Sequence, residues 1–288
     1  MSPKTVGLIA HTGKEGAAEL IRHLREEFKQ AGVGVVLEAA TAALDGDTSE
    51  ETVAQVAAQA DLLVVLGGDG TILNVVSGLE DEIKPIFGIN IGSLGFLTCL
   101  NSSAYRQAVS AIVKGEFSFS ERRLLTVEIG RGREWRFEAL GLNDVVISRG
   151  EISRLIRLKT RVNGEPLTEF NADGLVIATP TGSTAYSLSA GGPILAPQSG
   201  VFVITPICPH VLTNRSVIVD DDSTIEVEAS DPDYPVYLTI DGRSPVGLDF
   251  GKTVRITKSS RTLSLAVMPG VSFFGVVRQK LKWSGSSI

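Results

Sequence analysis

The sequence predicts an α/β domain with a parallel sheet and flanking helices, followed by a β-rich domain. Three observations predict it. Through residue 115, short apolar runs alternate with stretches whose apolar residues recur at helical spacing. Beyond that point the helical spacing stops, and brief apolar runs separated by polar turns take over. The third is Leu62-Leu63-Val64-Val65-Leu66-Gly67-Gly68-Asp69-Gly70-Thr71, five apolar residues running into glycines. Such a run is a strand buried on both faces, and parallel strands of this kind end where open α/β sheets bind ligands.

The first domain reads in order as follows. Thr5–Ala10 is a short apolar strand, and Gly13–Gly16 a turn. Ala17–Gln30 carries Leu20, Ile21, Leu24 and Phe28 at helical spacing, with charges between them, and Gly32 ends that helix. Val33–Leu37 is a second strand. Thr48–Ala60 is a helix opened by Thr48 or Ser49, with Glu50 and Glu51 in its first turn. The Leu62 strand is third, and Thr71 caps a helix over Ile72–Leu79. Pro85–Ile89 is a fourth strand, running into Asn90-Ile91-Gly92-Ser93-Leu94-Gly95-Phe96-Leu97.

The second domain, residues 116–269, is a series of short strands. They are Leu124–Ile129, Trp135–Leu140, Asp144–Ser148, Leu155–Val162, Leu175–Ala178, Val201–Thr205, Ser216–Val219, Thr224–Glu228, Val236–Ile240, Thr253–Thr257 and Leu263–Val267. Asn163-Gly164 is a hairpin turn signal. The tail, Val271–Trp283, reads as a helix with Phe274, Val277 and Leu281 on one face, so residues 270–288 return to pack on the first domain, residues 1–115. No internal repeat, linker or low-complexity segment interrupts the chain.

Bulk composition narrows the function. With 288 residues, 43% of them hydrophobic and 21% charged, the chain has ample material for a core. A net charge of −6 argues against nucleic acid or an anionic membrane as the main partner. Cys99 and Cys208 are too few for a disulfide framework or a structural zinc site. The start, Met1-Ser2-Pro3-Lys4-Thr5, lacks the apolar core of a signal peptide, and no apolar run is long enough to span a bilayer. A cytoplasmic protein is expected. His11, His23 and His210 show no metal-ligand spacing, and no protein-held metal site is expected.

The glycine turn carries the chemistry. Gly67, Gly68 and Gly70 let backbone amides approach an anion, and the helix that follows favours phosphate at its start, beside Thr71. One carboxylate, Asp69, stands among these amides. It holds a metal or takes a proton from a nucleophile; otherwise it is a solvated turn residue. By size and turn preference, Asp69→Asn leaves the loop intact. Gly7–Glu15 imitates a P-loop, but its glycine spacing is one residue too long and Glu15 stands where Ser or Thr should be. No G-x-G-x-x-G occurs. Asn143-Asp144 sets an amide beside a carboxylate at a strand edge, where ribose hydroxyls or an adenine edge can be bound. Asp173–Pro193, DGLVIATPTGSTAYSLSAGGP, crowds glycines and small hydroxyls after a strand end, with Tyr186 available to stack on a flat ring. His210, after Pro209 in an apolar loop, serves packing or the site equally well.

GGDGT at Gly67–Thr71, the Asn143-Asp144 pair and DGLVIATPTGSTAYSLSAGGPI together resemble the NAD kinases. Ile89–Leu97 and Ile204–His210 match that family too, so the resemblance covers most of the chain. GGDGT alone is shared with lipid kinases and 6-phosphofructokinases; the long Ser/Thr segment is specific. The resemblance implies an α/β domain, a β-rich NAD-binding domain and a final helix that returns to the first. It implies transfer of the γ-phosphoryl of ATP, or in some members polyphosphate, to the adenosine-ribose 2′-hydroxyl of NAD. By position, Asp69 is then the proton acceptor, and Asp69 and Gly70 line the NAD site. Gly67, Gly68, Gly70 and Thr71 take phosphate. Asn143 and Asp144 bind adenosine, where Glu is common beside the Asn. Asp173 holds the nicotinamide end, and Thr184, Ala185, Tyr186, Ser187, Leu188 and Ser189 wrap the dinucleotide. Arg154 and Asn171 match contact positions, and Arg243 stands where a Gln or similar residue is expected. With no P-loop lysine, Mg²⁺ or Mn²⁺ must offset the donor's charge. Many members are homotetramers or homodimers, so the resemblance implies a homo-oligomer with the Thr184–Ser189 segment near the subunit contact. A lipid kinase on the same loop would need a basic or apolar membrane face, which this acidic chain does not advertise. A non-catalytic dinucleotide sensor would not need Asp69.

Overall fold

A computed structural model describes residues 2–79, 82–93, 95–150, 154–230 and 235–283. The chain divides into two units, residues 1–121 with 263–288, and residues 122–262. Among the described residues no helix is long and apolar enough to cross a membrane.

The first unit runs β1 (Thr5–Ala10), α1 (Ala17–Gln30), β2 (Gly34–Leu37), α2 (Ala39–Leu44), α3 (Val53–Gln59), β3 (Leu62–Gly67), α4 (Asp69–Gly78), β4 (Ile86–Asn90), β5 (Leu100–Asn101) and α5 (Tyr105–Lys114). Strands β2, β1, β3 and β4 lie side by side, all parallel. β3 is central and buried along its whole length, as an unbroken apolar run requires. Leu20, Ile21, Leu24 and Phe28 of α1 pack on this sheet, joined by Ala108, Val109, Ala111 and Ile112 of α5.

Several elements differ from the expectation. α2 carries no periodic apolar signal, being mostly alanine; Glu38 makes it by accepting the Ala40 and Thr41 amides. α5 was not expected, although its buried residues have helical spacing and Gly115 ends it in the left-handed region (φ 69°). α3 is shorter than Thr48–Ala60. Thr52, not Thr48 or Ser49, is its cap, forming a reciprocal capping box with Gln55. Ser49 instead donates to the Leu37 carbonyl (2.8 Å). α4 starts at Asp69 rather than Ile72, with Gly68 at its N-cap.

The chain leaves the first unit within β6 (Ser118–Arg131). The second unit then runs β7 (Glu134–Gly141), β8 (Asp144–Arg149), β9 (Ile156–Val162), β10 (Glu165–Ala172), β11 (Gly174–Ala178), a single helical turn α6 (Tyr186–Ser189), β12 (Val201–Ile207), β13 (Val217–Asp220), β14 (Ile225–Ala229), β15 (Val236–Ile240) and β16 (Val246–Leu248). The return is within β17 (Thr253–Val267), and α7 (Phe273–Lys280) closes the first unit. β17 is one strand where two were expected: the polar Lys258–Thr262 stretch interrupts the apolar pattern but not the backbone. β10 and β16 were not expected either. In α7 Val277 of the expected face is buried, together with Val276, while Phe274 of that face is exposed.

Six strands of the second unit, β13-β12-β11-β8-β15-β16, form one antiparallel sheet. Its inner face meets β9, β14 and β17 through Val145, Ile147, Leu175, Ile177, Phe202 and Ile204, against Ile156, Leu158, Ile225, Val227, Val254 and Ile256. The alternate residues Val146, Val176, Ala178 and Val203 form a second cluster on the other face, covered by Ala190 and Leu195. The segment after β11 is therefore packed on the sheet through Ala190 and Leu195 rather than being a free loop.

Candidate functional site

In the first unit, the end of β3 and the start of α4 make a tight turn. A Cβ on Gly67 would collide with Thr71 Oγ1, so only glycine permits the approach. The Gly68 amide donates to Thr71 Oγ1 (3.3 Å), and the Thr71 amide to the Gly68 carbonyl (3.0 Å). Thr71 thus sits inside the first turn and bonds back to the cap, instead of being the cap itself.

Asp69 is not a solvated turn residue. Its Oδ2 accepts the Phe96 amide (2.9 Å) and its Oδ1 the Leu97 amide (3.0 Å), 27 and 28 residues away. A Cβ on Gly95 would collide with the same carboxylate. The Gly95 amide donates to Thr98 Oγ1 (3.0 Å), which also accepts from Asn90 Nδ2 (3.3 Å), so the loop is tied to the end of β4. Each carboxylate oxygen carries one amide and retains a lone pair for a further donor. The expectation that Asp69→Asn leaves this loop intact is corrected: an Asn amide would point its own N–H at one of these donors.

In the second unit, Asn143 and Asp144 lie at the start of β8, held from two sides. The Asp241 carboxylate accepts three consecutive amides: Leu142 (2.7 Å), Asn143 (2.7 Å) and Asp144 (3.0 Å). From the other side, Thr179 Oγ1 donates to the Leu142 carbonyl (2.6 Å), and the Thr179 amide to the Asn143 carbonyl (2.9 Å). A Cβ on Gly182 would collide with the Asn143 backbone. The Asp144 carboxylate accepts the Tyr186 amide, so the expected adenosine pair and the Thr184–Ser189 segment do meet. Within that segment Ser187 is buried and bonds Thr205 Oγ1 (3.2 Å), while the Tyr186 ring is 46% exposed and free to stack.

Burial pushes Asp144 up to about 7, and the negative Asp241 beside it adds to the shift. Burial also raises Asp241, against the pull of its three amides and of Arg243. The pair cannot easily both ionise. Three donors face Asp241 and one faces Asp144, so Asp241 keeps the charge and Asp144 takes the proton. Arg243 donates through Nε to the Ile240 carbonyl (3.0 Å) and through Nη2 to the Leu140 carbonyl.

The remaining expected residues lie at the opposite end of the β8–β11 pair. Asp144 faces Ala178 across that pair, and Ser148 faces Gly174, a span of about 13 Å at the usual rise per residue. There Asp173 accepts from Arg149 Nε (2.7 Å), and the Asn171 carbonyl accepts the His210 amide (2.8 Å). Arg154 is exposed. Of Ile89–Leu97, Leu94 falls outside the described residues.

The chain matches the family model for the ATP-NAD kinase N-terminal domain over residues 6–117, and that for the ATP-NAD kinase C-terminal domain over residues 142–268. The chain belongs to the ATP-NAD kinase family. Membership makes it an enzyme and a phosphotransferase rather than a bare dinucleotide-binding module. An NAD kinase of Solibacter usitatus is 40% identical over 280 residues, covering 97% of this chain and 98% of its own. The crystal structure of yeast NADH kinase complexed with NADH superposes with a TM-score of 0.88 at 26% identity, over 99% of this chain and 89% of that one. The crystal structure of an NAD kinase from Archaeoglobus fulgidus in complex with ATP gives 0.75 at 25% identity, over 98% and 100% of the two chains.

In this ATP-NAD kinase family member the sequence did not point to the groups that hold the candidate site residues in place. Phe96 and Leu97 act through backbone amides, which leave no side-chain signal. Gly95 was visible as a glycine, but not as the residue that makes room for Asp69. Asp241 had a signal: an aspartate before glycine in Ile240-Asp241-Gly242-Arg243, in a turn that takes φ 50° at the aspartate.

Proposed function

We propose that this chain transfers the γ-phosphoryl group of ATP to the 2′-hydroxyl of the adenosine ribose of NAD, giving NADP. The observation that carries the reading is the Asp69 carboxylate, set at the first residue of α4 beside a glycine turn and oriented by two amides. The relatives add support: one solved neighbour is complexed with NADH and another with ATP.

In this mechanism the amide of Gly70, in the first turn of α4, takes a phosphate oxygen of the donor, since the Gly68 amide is already spent on Thr71 Oγ1. Asn143, Asp144 and the Thr184–Ser189 backbone bind the adenosine half of NAD. Protonated Asp144 has a hydrogen to donate and a lone pair to accept, which suits a ribose hydroxyl. Asp173 and Asn171, one strand length away, take the nicotinamide end, with Arg154 on the same dinucleotide. Asp69 accepts the proton of the 2′-hydroxyl as that oxygen bonds to the γ-phosphorus and the bond from phosphorus to the ADP oxygen breaks.

A divalent ion, Mg²⁺ or Mn²⁺, fits this site as a companion of the triphosphate. Among the described residues no three His, Cys, Asp or Glu side chains converge to cage one. Mg²⁺ bound through substrate phosphates needs only one or two carboxylates from protein. When bound, it neutralises phosphate charge.

The test is incubation of pure protein with ATP, Mg²⁺ and NAD, with NADP measured by an NADP-specific dehydrogenase. NADP should accumulate, and excess chelator should stop it. Full activity in chelator would remove the ion from the mechanism; no NADP at all would overturn the function.

A further inference from the structure

We propose that Asp241 is the positioning residue of the nucleotide site, its carboxylate setting the backbone of Leu142-Asn143-Asp144 and thereby aiming the Asn143 and Asp144 side chains at the ligand. The inference rests on the reading above that these two side chains bind NAD. Asp241 itself has no opening toward a ligand: it is 8% exposed, and both oxygens are occupied by amides nearly a hundred residues distant in sequence.

Three features make this an alignment device rather than incidental packing. The bonds fall on three successive amides, so they fix the direction of the chain and not a single atom. The Asp241 amide donates in return to the Asp144 carbonyl (3.0 Å), closing the contact on both partners. The turn is locked from behind, since Arg243 spends its Nε and Nη2 donors on the carbonyls of Ile240 and Leu140. A charge-assisted bond in a buried setting tolerates little displacement, so Asn143 and Asp144 are pre-aligned before substrate arrives. Such groups act on binding. Asp69, which handles the proton, is held by a separate loop of the first unit.

The experiment compares parent and Asp241→Asn in the full chain, after confirming by calorimetry that the parent binds NAD and makes NADP. Asn keeps the size but turns one acceptor into a donor facing an amide. KM for NAD should rise roughly 10- to 100-fold, the loss expected when a charged hydrogen bond that orders a binding group is removed. kcat should stay within about threefold, because the proton-accepting loop is untouched. The loss should shrink in an Asp144→Asn background, where there is less left to align. A folded variant with unchanged KM, or one that lowers only the active fraction and hence kcat, would overturn the proposal. If Asp241→Asn does not fold, Thr179→Val, close to it in volume, removes the donor to the Leu142 carbonyl and the acceptor of the Gly182 amide, and the same KM rise is required of it; unchanged KM there overturns the proposal as well. A parent that neither binds NAD nor makes NADP would instead refute the function itself.

Discussion

Three aspartates in this chain do the same physical thing. Asp61 accepts the Lys4 and Thr5 amides, Asp69 those of Phe96 and Leu97, and Asp241 those of Leu142, Asn143 and Asp144. For Asp69 the consequence is that its place matters as much as its charge. Asp69→Asn should lower kcat by about 10²–10⁴, the usual loss of a general base. Gly95→Ala, which keeps the carboxylate but crowds it, should also cost activity while leaving NAD affinity near the parent's. A fully active Gly95→Ala enzyme would show that the carboxylate need not be held there. Asp144 makes a different prediction. Its folded-state value near 7 exceeds the usual aspartate value of 3.8, chiefly through burial, so the folded chain keeps a proton that the unfolded chain has released. Stability from this group is therefore full below about pH 4 and is lost as pH rises toward about 7, by up to roughly 4 kcal/mol. Urea unfolding across that range should show the decline in the parent and a flatter profile in Asp144→Asn; parallel profiles would contradict the shift. Asp69 stood out in the sequence as the one carboxylate in a glycine turn, and Asp144 through the family resemblance. Asp241 did not, because an Asp-Gly turn looks the same whether its carboxylate meets water or three amides.

Among the elements, those with strong periodicity read well. β1 and α1 fall at the expected bounds, and Leu62–Gly67 is the buried central strand it reads as. The misreadings fall where hydrogen bonds, several of them local caps, set the element and the apolar pattern does not. α2 depends on the Glu38 cap and on Thr41 Oγ1, which accepts the Ala10 amide (2.8 Å). α3 starts where its capping box closes, not at the first hydroxyl residue. Thr52→Ala should accordingly cost about 1 kcal/mol in chemical denaturation, and Thr48→Ala almost nothing. β17 stays extended through Ser259-Ser260-Arg261-Thr262 although nothing apolar marks those residues. β8, β11 and β12 were found because they are apolar on both faces, and that feature is also what fastens the segment after β11 to the sheet.

At the scale of the whole molecule, the fold expected from the sequence, an α/β part followed by a β-rich part, is the fold of the family. Assembly belongs to this scale as well. β13 is an edge strand that exposes Ile218 (49%), and the loop before it exposes Leu212 (88%). An open edge with exposed apolar residues invites pairing with another chain. We propose a homodimer or homotetramer, and light scattering at micromolar concentration should find one; a fully active monomer would refute it. The proposed reaction turns on which oxygen of NAD accepts the phosphoryl group. The most direct measurement presents the enzyme, with ATP and Mg²⁺, with NAD and in parallel with NAD lacking the 2′-hydroxyl of the adenosine ribose. Both should bind, NAD should become NADP and the deoxy analogue should gain no phosphate; a phosphorylated analogue in the mass spectrum would show that another oxygen is the acceptor.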